Sequence, residues 1–193
     1  VWVQRLSYVG EVGYELYINN SEAKLIFNKI IDIGKKFNLS LCGAHAMDTL
    51  RMESGFLHWG HDISPEENQL EAGLNFAISF KKNYDFIGKQ ALLKIDKNEV
   101  KKKFIMLTLN NTKPGEPLAL HFEPIYIDGK ICGNTTSANY SFNYSKNLLF
   151  GYVSTDLKVE QLKEKKIQVE IEKVKYDASL LLKPLKDPKI KLN

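Results

Sequence analysis

The sequence predicts an α+β protein, in which a mixed helix-and-strand part is followed by a small antiparallel β-barrel. Three observations carry that prediction. Apolar residues recur at helical spacing in the first half, at Ile26, Phe27, Ile30, Ile31, Ile33 and Phe37 and again at Met47, Leu50 and Met52. From Lys101 onward the apolar residues instead fall in short runs separated by turn chemistry. Asp128-Gly129 sits between two such runs, which is a strong hairpin signal.

In chain order, residues 2–8 and 14–18 read as two strands joined by Val9-Gly-Glu-Val-Gly13. Two glycines so close together suit a tight turn with positive φ, so Gly10 and Gly13 are expected to serve the backbone. A β-branched residue at Gly13 is then expected to break the hairpin. Asn20 or Ser21 is expected to cap the first helix, and a second helix runs from Ala44 to Glu53 with Gly55 as its stop. Phe56 to Glu71 is polar and turn-rich. Leu74 to Phe80 alternates and reads as a strand, and Gly88 to Ile95 as a short helix. Strands follow at Phe104–Leu109, Ile125–Ile127, Lys130–Cys132, Leu149–Val153, Ile167–Ile171 and Val174–Leu182. The change of character near the lysine-rich stretch Lys97 to Lys103 predicts two domains, residues 1–98 and 99–193.

Bulk properties narrow the function classes. The chain has 193 residues, 44% hydrophobic and 26% charged, with a net charge of +4. That length supports a sizeable core. Its apolar runs are far short of the roughly 20 residues that span a bilayer, so no membrane role is expected. The lysines are spread along the chain, densest at Lys101–Lys103 and Lys163–Lys166, and read as solvated surface. No basic face with interleaved aromatics is apparent, so no nucleic-acid partner is expected. Cys42 and Cys132 are far apart without His or Cys neighbours at ligand spacing, which favours free thiols and a cytoplasmic setting. The first residues, Val1 to Arg5, already alternate like a strand and lack an initiator Met, which suggests a start inside a domain. Oligomeric state is left open.

Few residues carry chemistry. Tyr8, Glu11 and Glu15 cluster around the first turn. A carboxylate opening a returning strand can accept two adjacent donors, the pattern a pterin ring offers through its ring N–H and exocyclic amine. On residue chemistry alone a surface hairpin is the favoured reading of the segment. His58, His61 and Asp62 form a conceivable metal set, but in a Gly-containing turn the spacing is weak, and no metal is expected. A structural loop or a cavity wall with Trp59 stacking fits better. Asp48, Arg51 and Glu53 read as a structural ion-pair set, and Thr135-Thr136-Ser137 with Tyr140 as strand and turn chemistry.

A resemblance adds to this reading. Arg5-Leu-Ser-Tyr-Val-Gly-Glu-Val-Gly-Tyr-Glu15 resembles the R-x-x-Y-x-G-E-x-G-[FYW]-E signature of the glycine cleavage T-protein family. Further blocks agree in order: Gly43 through Gly55, His58-Trp-Gly-His-Asp62 through Gly73, Asp85-Phe-Ile-Gly88, Glu123-Pro-Ile-Tyr126, Gly151-Tyr-Val153 and Leu182 through Pro188. Together they span nearly the whole chain. Met47 stands where glycine-cleavage T-proteins commonly carry Arg. With His-Trp-Gly-His-Asp it is similar to the branch fused to dimethylglycine and sarcosine dehydrogenases.

The resemblance implies a truncated T-protein-like folate-binding domain followed by the family's barrel. It implies tetrahydrofolate as cofactor, with Tyr8 and Glu15 as the residues that bind it. The partners implied are folate and a one-carbon unit derived from an N-methyl amine. It assigns no catalytic residue here, since the family's Asp would precede Val1, and it places FAD in a region upstream. A mitochondrial matrix location is implied if the source is eukaryotic. The alternatives are a glycine-cleavage T-protein and a non-catalytic homologue similar to the regulatory subunit of pyruvate dehydrogenase phosphatase.

Overall fold

In the computed structural model, which describes residues 1–96 and 99–187, the backbone groups into two units. One comprises Val1–Phe56 with Lys186 and Asp187, the other Leu57–Leu185. The predicted boundary at 98/99 adjoins Lys97 and Asn98, which lie outside the described residues, as does Pro188 of the terminal block.

In the first unit, β1 (Trp2–Gln4) pairs antiparallel with β2 (Glu15–Tyr17), with Trp2 opposite Tyr17 and Gln4 opposite Glu15. The strands are shorter than the predicted 2–8 and 14–18. Leu6 N–H donates back to the Gln4 carbonyl at 3.1 Å, which turns the chain out of the ladder. The connection from Arg5 to Tyr14 is therefore a broad loop. Helix α1 (Asn20–Gly34) follows, its cap position held by Asn19 rather than by Asn20 or Ser21. It passes into a 3-10 turn, Lys35–Phe37, and ends at Asn38 in the left-handed region. No residue of α1 is buried, and Phe27 and Ile33 are 51% and 61% exposed. Helix α2 spans Ala44–Glu53, as the stripe predicts, and Gly55 at φ 72° stops it.

The second unit opens with a turn-rich segment. The strand expected at Leu74–Phe80 is instead a 3-10 turn at Asn75–Ala77. Local bonds from Ala77 N–H to Leu74 O (3.0 Å) and from Ile78 N–H to Asn75 O (3.2 Å) replace a ladder. Alternation marks two faces but supplies no neighbouring strand. Helix α3 is Lys89–Leu93, a shorter piece than the predicted Gly88–Ile95.

The predicted barrel is present. Strands β3 (Lys102–Leu109), β4 (Pro124–Ile127), β5 (Lys130–Ser141), β6 (Lys146–Ser154), β7 (Ile167–Ile171) and β8 (Val174–Leu181) close in the order β3-β6-β5-β4-β7-β8, all pairs antiparallel. Period-two burial builds its core from Ile105, Leu107 and Leu109, Ile125 and Ile127, and Ile167, Val169 and Ile171. The β4–β5 hairpin turns at Asp128 and Gly129, φ 48° and 82°, the double positive φ that makes Asp-Gly a hairpin dipeptide. Strand β6 is buried on both faces from Asn147 to Val153. Phe150 and Tyr152 lie edge-on to the Phe104 ring, at 5.3 and 5.6 Å.

Candidate functional site

The loop between β1 and β2 carries the candidate ligand residues, and the end of α2 shapes it. Gly10 is buried at φ 70°, and a Cβ there would overlap the Ser54 hydroxyl. Only glycine allows that conformation and that approach together. Ser54 Oγ donates to the Val9 carbonyl at 3.3 Å. Gly13 departs from expectation: its φ is not positive, and a Cβ would instead lie 2.9 Å from the Leu6 carbonyl oxygen. Its need for glycine is steric.

Tyr8 is half-buried and stacks on Phe56, ring centroids 6.4 Å apart at 12°. Glu15 is exposed on β2 and accepts a 2.8 Å hydrogen bond from the Tyr17 hydroxyl. That bond to the carboxylate raises the Tyr17 pKa above its ordinary value. Period two puts Glu15 and Tyr17 on one face of the ribbon with Trp2, whose ring lies 5.1 Å from that of Tyr17. Tyr8 and Glu15 thus belong to one loop–strand element but have different neighbours.

On α2, Arg51 is buried, and its Nε donates to Asp48 at 2.7 Å while Nη1 donates to the Phe56 carbonyl at 3.0 Å. Such an arrangement locks the helix end rather than presenting a reactive group. The chain end meets the same helix end. Lys186 N–H donates to the Glu53 carbonyl at 2.8 Å, and its Nζ pairs with the Glu11 carboxylate.

In the second unit, the His-Trp-Gly-His-Asp segment forms a hub of hydrogen bonds. Asp62 is 1% exposed, and its Oδ1 accepts from Thr136 Oγ1 (2.5 Å) and Ser137 Oγ (2.7 Å). Its Oδ2 accepts from the His58 amide at 2.9 Å. Tyr152 OH donates to the Asp62 backbone carbonyl at 2.9 Å. A β-bulge in β5 between Thr135 and Ser137 makes the double hydroxyl contact feasible. In a regular strand, neighbouring side chains point to opposite faces, and the bulge turns both onto one oxygen. The Thr-Thr-Ser run is thus more than strand chemistry, a role that no local pattern ties to residue 62. The His58 and His61 rings lie 4.5 Å apart, and Trp59 is exposed. Among the described residues, no group of three or more His, Cys, Asp or Glu side chains could hold a metal ion.

Beside this hub is a cavity of about 570 Å³, lined by His61, Asp62, Glu67, Lys102, Thr136 and Tyr152 among others. Lys102 Nζ donates to Glu67 at 2.6 Å and lies 4.9 Å from the centre of the Tyr152 ring. Burial by itself raises the Glu67 pKa. Hydrogen bonds from Lys102 and Ser64 together outweigh it, and the carboxyl sits below its usual value. Burial, then the nearby charges of Glu67, Asp62 and Glu71, raise the Tyr152 pKa well above normal, so it remains a proton donor. A second, more apolar cavity of about 530 Å³ lies against Ile78, Phe86, Ala91, Leu92 and Ile95.

Comparison with known proteins agrees with this architecture. Residues 1–82 match the GCVT N-terminal domain and residues 102–187 the glycine cleavage T-protein C-terminal barrel domain. Human mitochondrial dimethylglycine dehydrogenase is 38% identical over 183 residues, 94% of this chain and 20% of its own length. The 4-methylaminobutanoate oxidase (formaldehyde-forming) of Paenarthrobacter nicotinovorans is 34% identical over 185 residues, 96% of this chain and 22% of its own length. The crystal structure of glycine cleavage system aminomethyltransferase T from Bartonella henselae superposes with a TM-score of 0.81 at 22% identity, over 96% of this chain and 50% of that one. The chain thus spans about a fifth of the length of these two sequence relatives. It belongs to the glycine cleavage T-protein family, with that family's N-terminal and C-terminal barrel domains both represented.

Proposed function

We propose that this chain is the tetrahydrofolate-binding part of an aminomethyltransferase-like module that accepts a one-carbon unit from oxidised N-methyl amines of the dimethylglycine and sarcosine type. The observation that carries the reading is the Arg5–Glu15 signature on a loop whose shape is fixed by Gly10 against Ser54.

The residues fit a folate. A carboxylate offers about four lone-pair sites, and Tyr17 takes one of those on Glu15, so Glu15 can still receive the donor edge of a pterin. Tyr8, backed by Phe56, presents a held aromatic ring. Tetrahydrofolate supplies the nitrogen nucleophiles that take up the one-carbon unit. The contribution of these side chains is to bind and orient, which lowers a barrier by avoiding the entropy of a chance encounter.

The catalytic Asp and the FAD that oxidises the amine belong, in this proposal, to parts of the full-length protein outside this chain. Two findings support it: the relatives are far longer, and the first unit exposes Trp2, Phe27, Ile33 and Leu41. An apolar surface of that extent calls for a covering partner. We further propose the division into residues 1–98, folate-binding, and 99–193, barrel, since the two family matches leave residues 83–101 between them. The partners proposed are folate and the amine-derived one-carbon unit. The proposed location is the cytoplasm, or the mitochondrial matrix in a eukaryote. No described helix is long and apolar enough to cross a membrane.

The test is the fate of the one-carbon unit in the full-length protein, supplied with dimethylglycine or sarcosine and tetrahydrofolate. Wild type should divert it into methylenetetrahydrofolate, and Glu15→Ala should release more of it as free formaldehyde. An identical partition in both proteins would refute the reading.

A further inference from the structure

We propose that Lys186 is a positioning residue for the candidate folate-binding loop, its backbone and side chain acting as a strap that holds the segment bearing Tyr8 and Glu15. The proposal rests on the reading that those two residues meet the folate.

Between Arg5 and Tyr14 the loop has local bonds from Leu6 N–H to the Gln4 carbonyl and from Glu11 N–H to Ser7 Oγ, both 3.1 Å. A loop of this kind depends on anchors from elsewhere to keep one conformation. The end of α2 supplies a first set: Ser54 packs against Gly10 and bonds to Val9, and Phe56 lies under Tyr8. These act on the limb that leaves β1 and on the apex. Lys186 acts on the next residue, Glu11, on the limb that runs into Glu15.

The strap is well placed for this. Its backbone is fixed by the Lys186 amide on the Glu53 carbonyl at 2.8 Å. That bond also satisfies a carbonyl in the last turn of α2, which lacks a helical partner. The aliphatic stem of Lys186 runs past Gly10, with Cδ 3.9 Å from where a Gly10 Cβ would stand. Its side chain is 22% exposed against 63% for Glu11, so the stem is packed and the charged pair faces water at one end. A pair of that kind is modest in strength and serves to select a conformation more than to stabilise a fold.

The experiment is calorimetric titration of the full-length protein with 5-formyltetrahydrofolate, comparing Lys186→Met, Lys186→Arg, Glu11→Gln, the exchanged pair Glu11→Lys with Lys186→Glu, and Glu15→Ala. Lys186→Met should weaken binding by about two- to fivefold, the range of a partly exposed ion pair. Lys186→Arg should bind like wild type, and the exchanged pair should recover most of the loss. Rescue of that kind distinguishes positioning by charge from general destabilisation. Without folate, amide hydrogen exchange in residues 5–14 should quicken in Lys186→Met and return to the wild-type rate in Lys186→Arg. Wild-type affinity in Lys186→Met, with Glu15→Ala weakened, would overturn the strap and leave the folate reading standing. Wild-type affinity in both variants would overturn the two together. Losses in Glu11→Gln and Lys186→Met that add when the two substitutions are combined in one protein would also overturn the strap, because a shared contact can be lost only once.

Discussion

Asp62 and Ser137, 75 positions apart in sequence, meet through a buried 2.7 Å hydrogen bond, with Thr136 on the same carboxylate oxygen. The contact joins the turn-rich segment before the barrel to a bulge in β5, within one unit. Replacing Asp62 by Ala would remove the shared acceptor of two hydroxyls and the His58 amide. We expect a loss of about 2–4 kcal/mol, since a buried group that loses its partner costs about 1–3 kcal/mol and the Thr136 and His58 bonds, being only part-buried, cost less. Denaturant unfolding measures it, and a change below about 0.5 kcal/mol would show that water replaces the carboxylate at no cost.

Stability should also carry a signature of Glu67. Its folded pKa is lowered, so its ionised form stabilises the fold above the ordinary pKa, and that contribution fades as pH falls through the folded value. The stability difference between wild type and Glu67→Gln should therefore be full at neutral pH and shrink below the ordinary value of 4.5. The expected size is about 0.5–1 kcal/mol, because Lys102 at 40% exposure is screened by water. A difference that grows on acidification would have the wrong sign for this pairing.

The two glycines of the first loop should behave differently. Gly10→Ala faces both a positive φ and the Ser54 hydroxyl, and should cost about 1–3 kcal/mol. Gly13→Ala has an ordinary φ but places its Cβ 2.9 Å from the Leu6 carbonyl oxygen, so the backbone there must shift to admit it. It should cost less than Gly10→Ala. Thermal unfolding of the full-length variants ranks them, and the reverse order would contradict the loop geometry. A β-branched residue at position 13 remains unfavourable, through contact with Leu6 rather than through backbone conformation.

How far the sequence discloses the structure depends on whether a residue's partner is local. Helix α2 was legible to its ends because Met47, Leu50, Met52 and the Gly55 stop are all within one segment. The β4–β5 turn was legible because Asp128-Gly129 is itself the conformational signal. The sequence predicts a strand only at Lys130–Cys132, whereas β5 runs to Ser141, because Asn134, Thr135 and Thr136 interrupt the apolar alternation that marks a strand. The Thr135 and Thr136 hydroxyls serve Asp62, Leu120 and Glu123, partners that no spacing rule connects. Leu74–Phe80 failed in the opposite way, with a strand's alternation and no ladder. Of the candidate site, Tyr8 and Glu15 were named from the signature alone. The cradle of Ser54, Phe56 and Lys186 was not, because it comes from the end of α2 and the chain end.

The most direct test of folate recognition is the affinity of the full-length protein for 5-formyltetrahydrofolate, titrated in parallel with its Glu15→Ala variant. We expect wild-type binding to weaken by about 1–3 kcal/mol on loss of that carboxylate, the cost of leaving buried pterin donors unpaired. Equal affinity in the two proteins would contradict Glu15 as the reader of the pterin edge, and with it the proposed function.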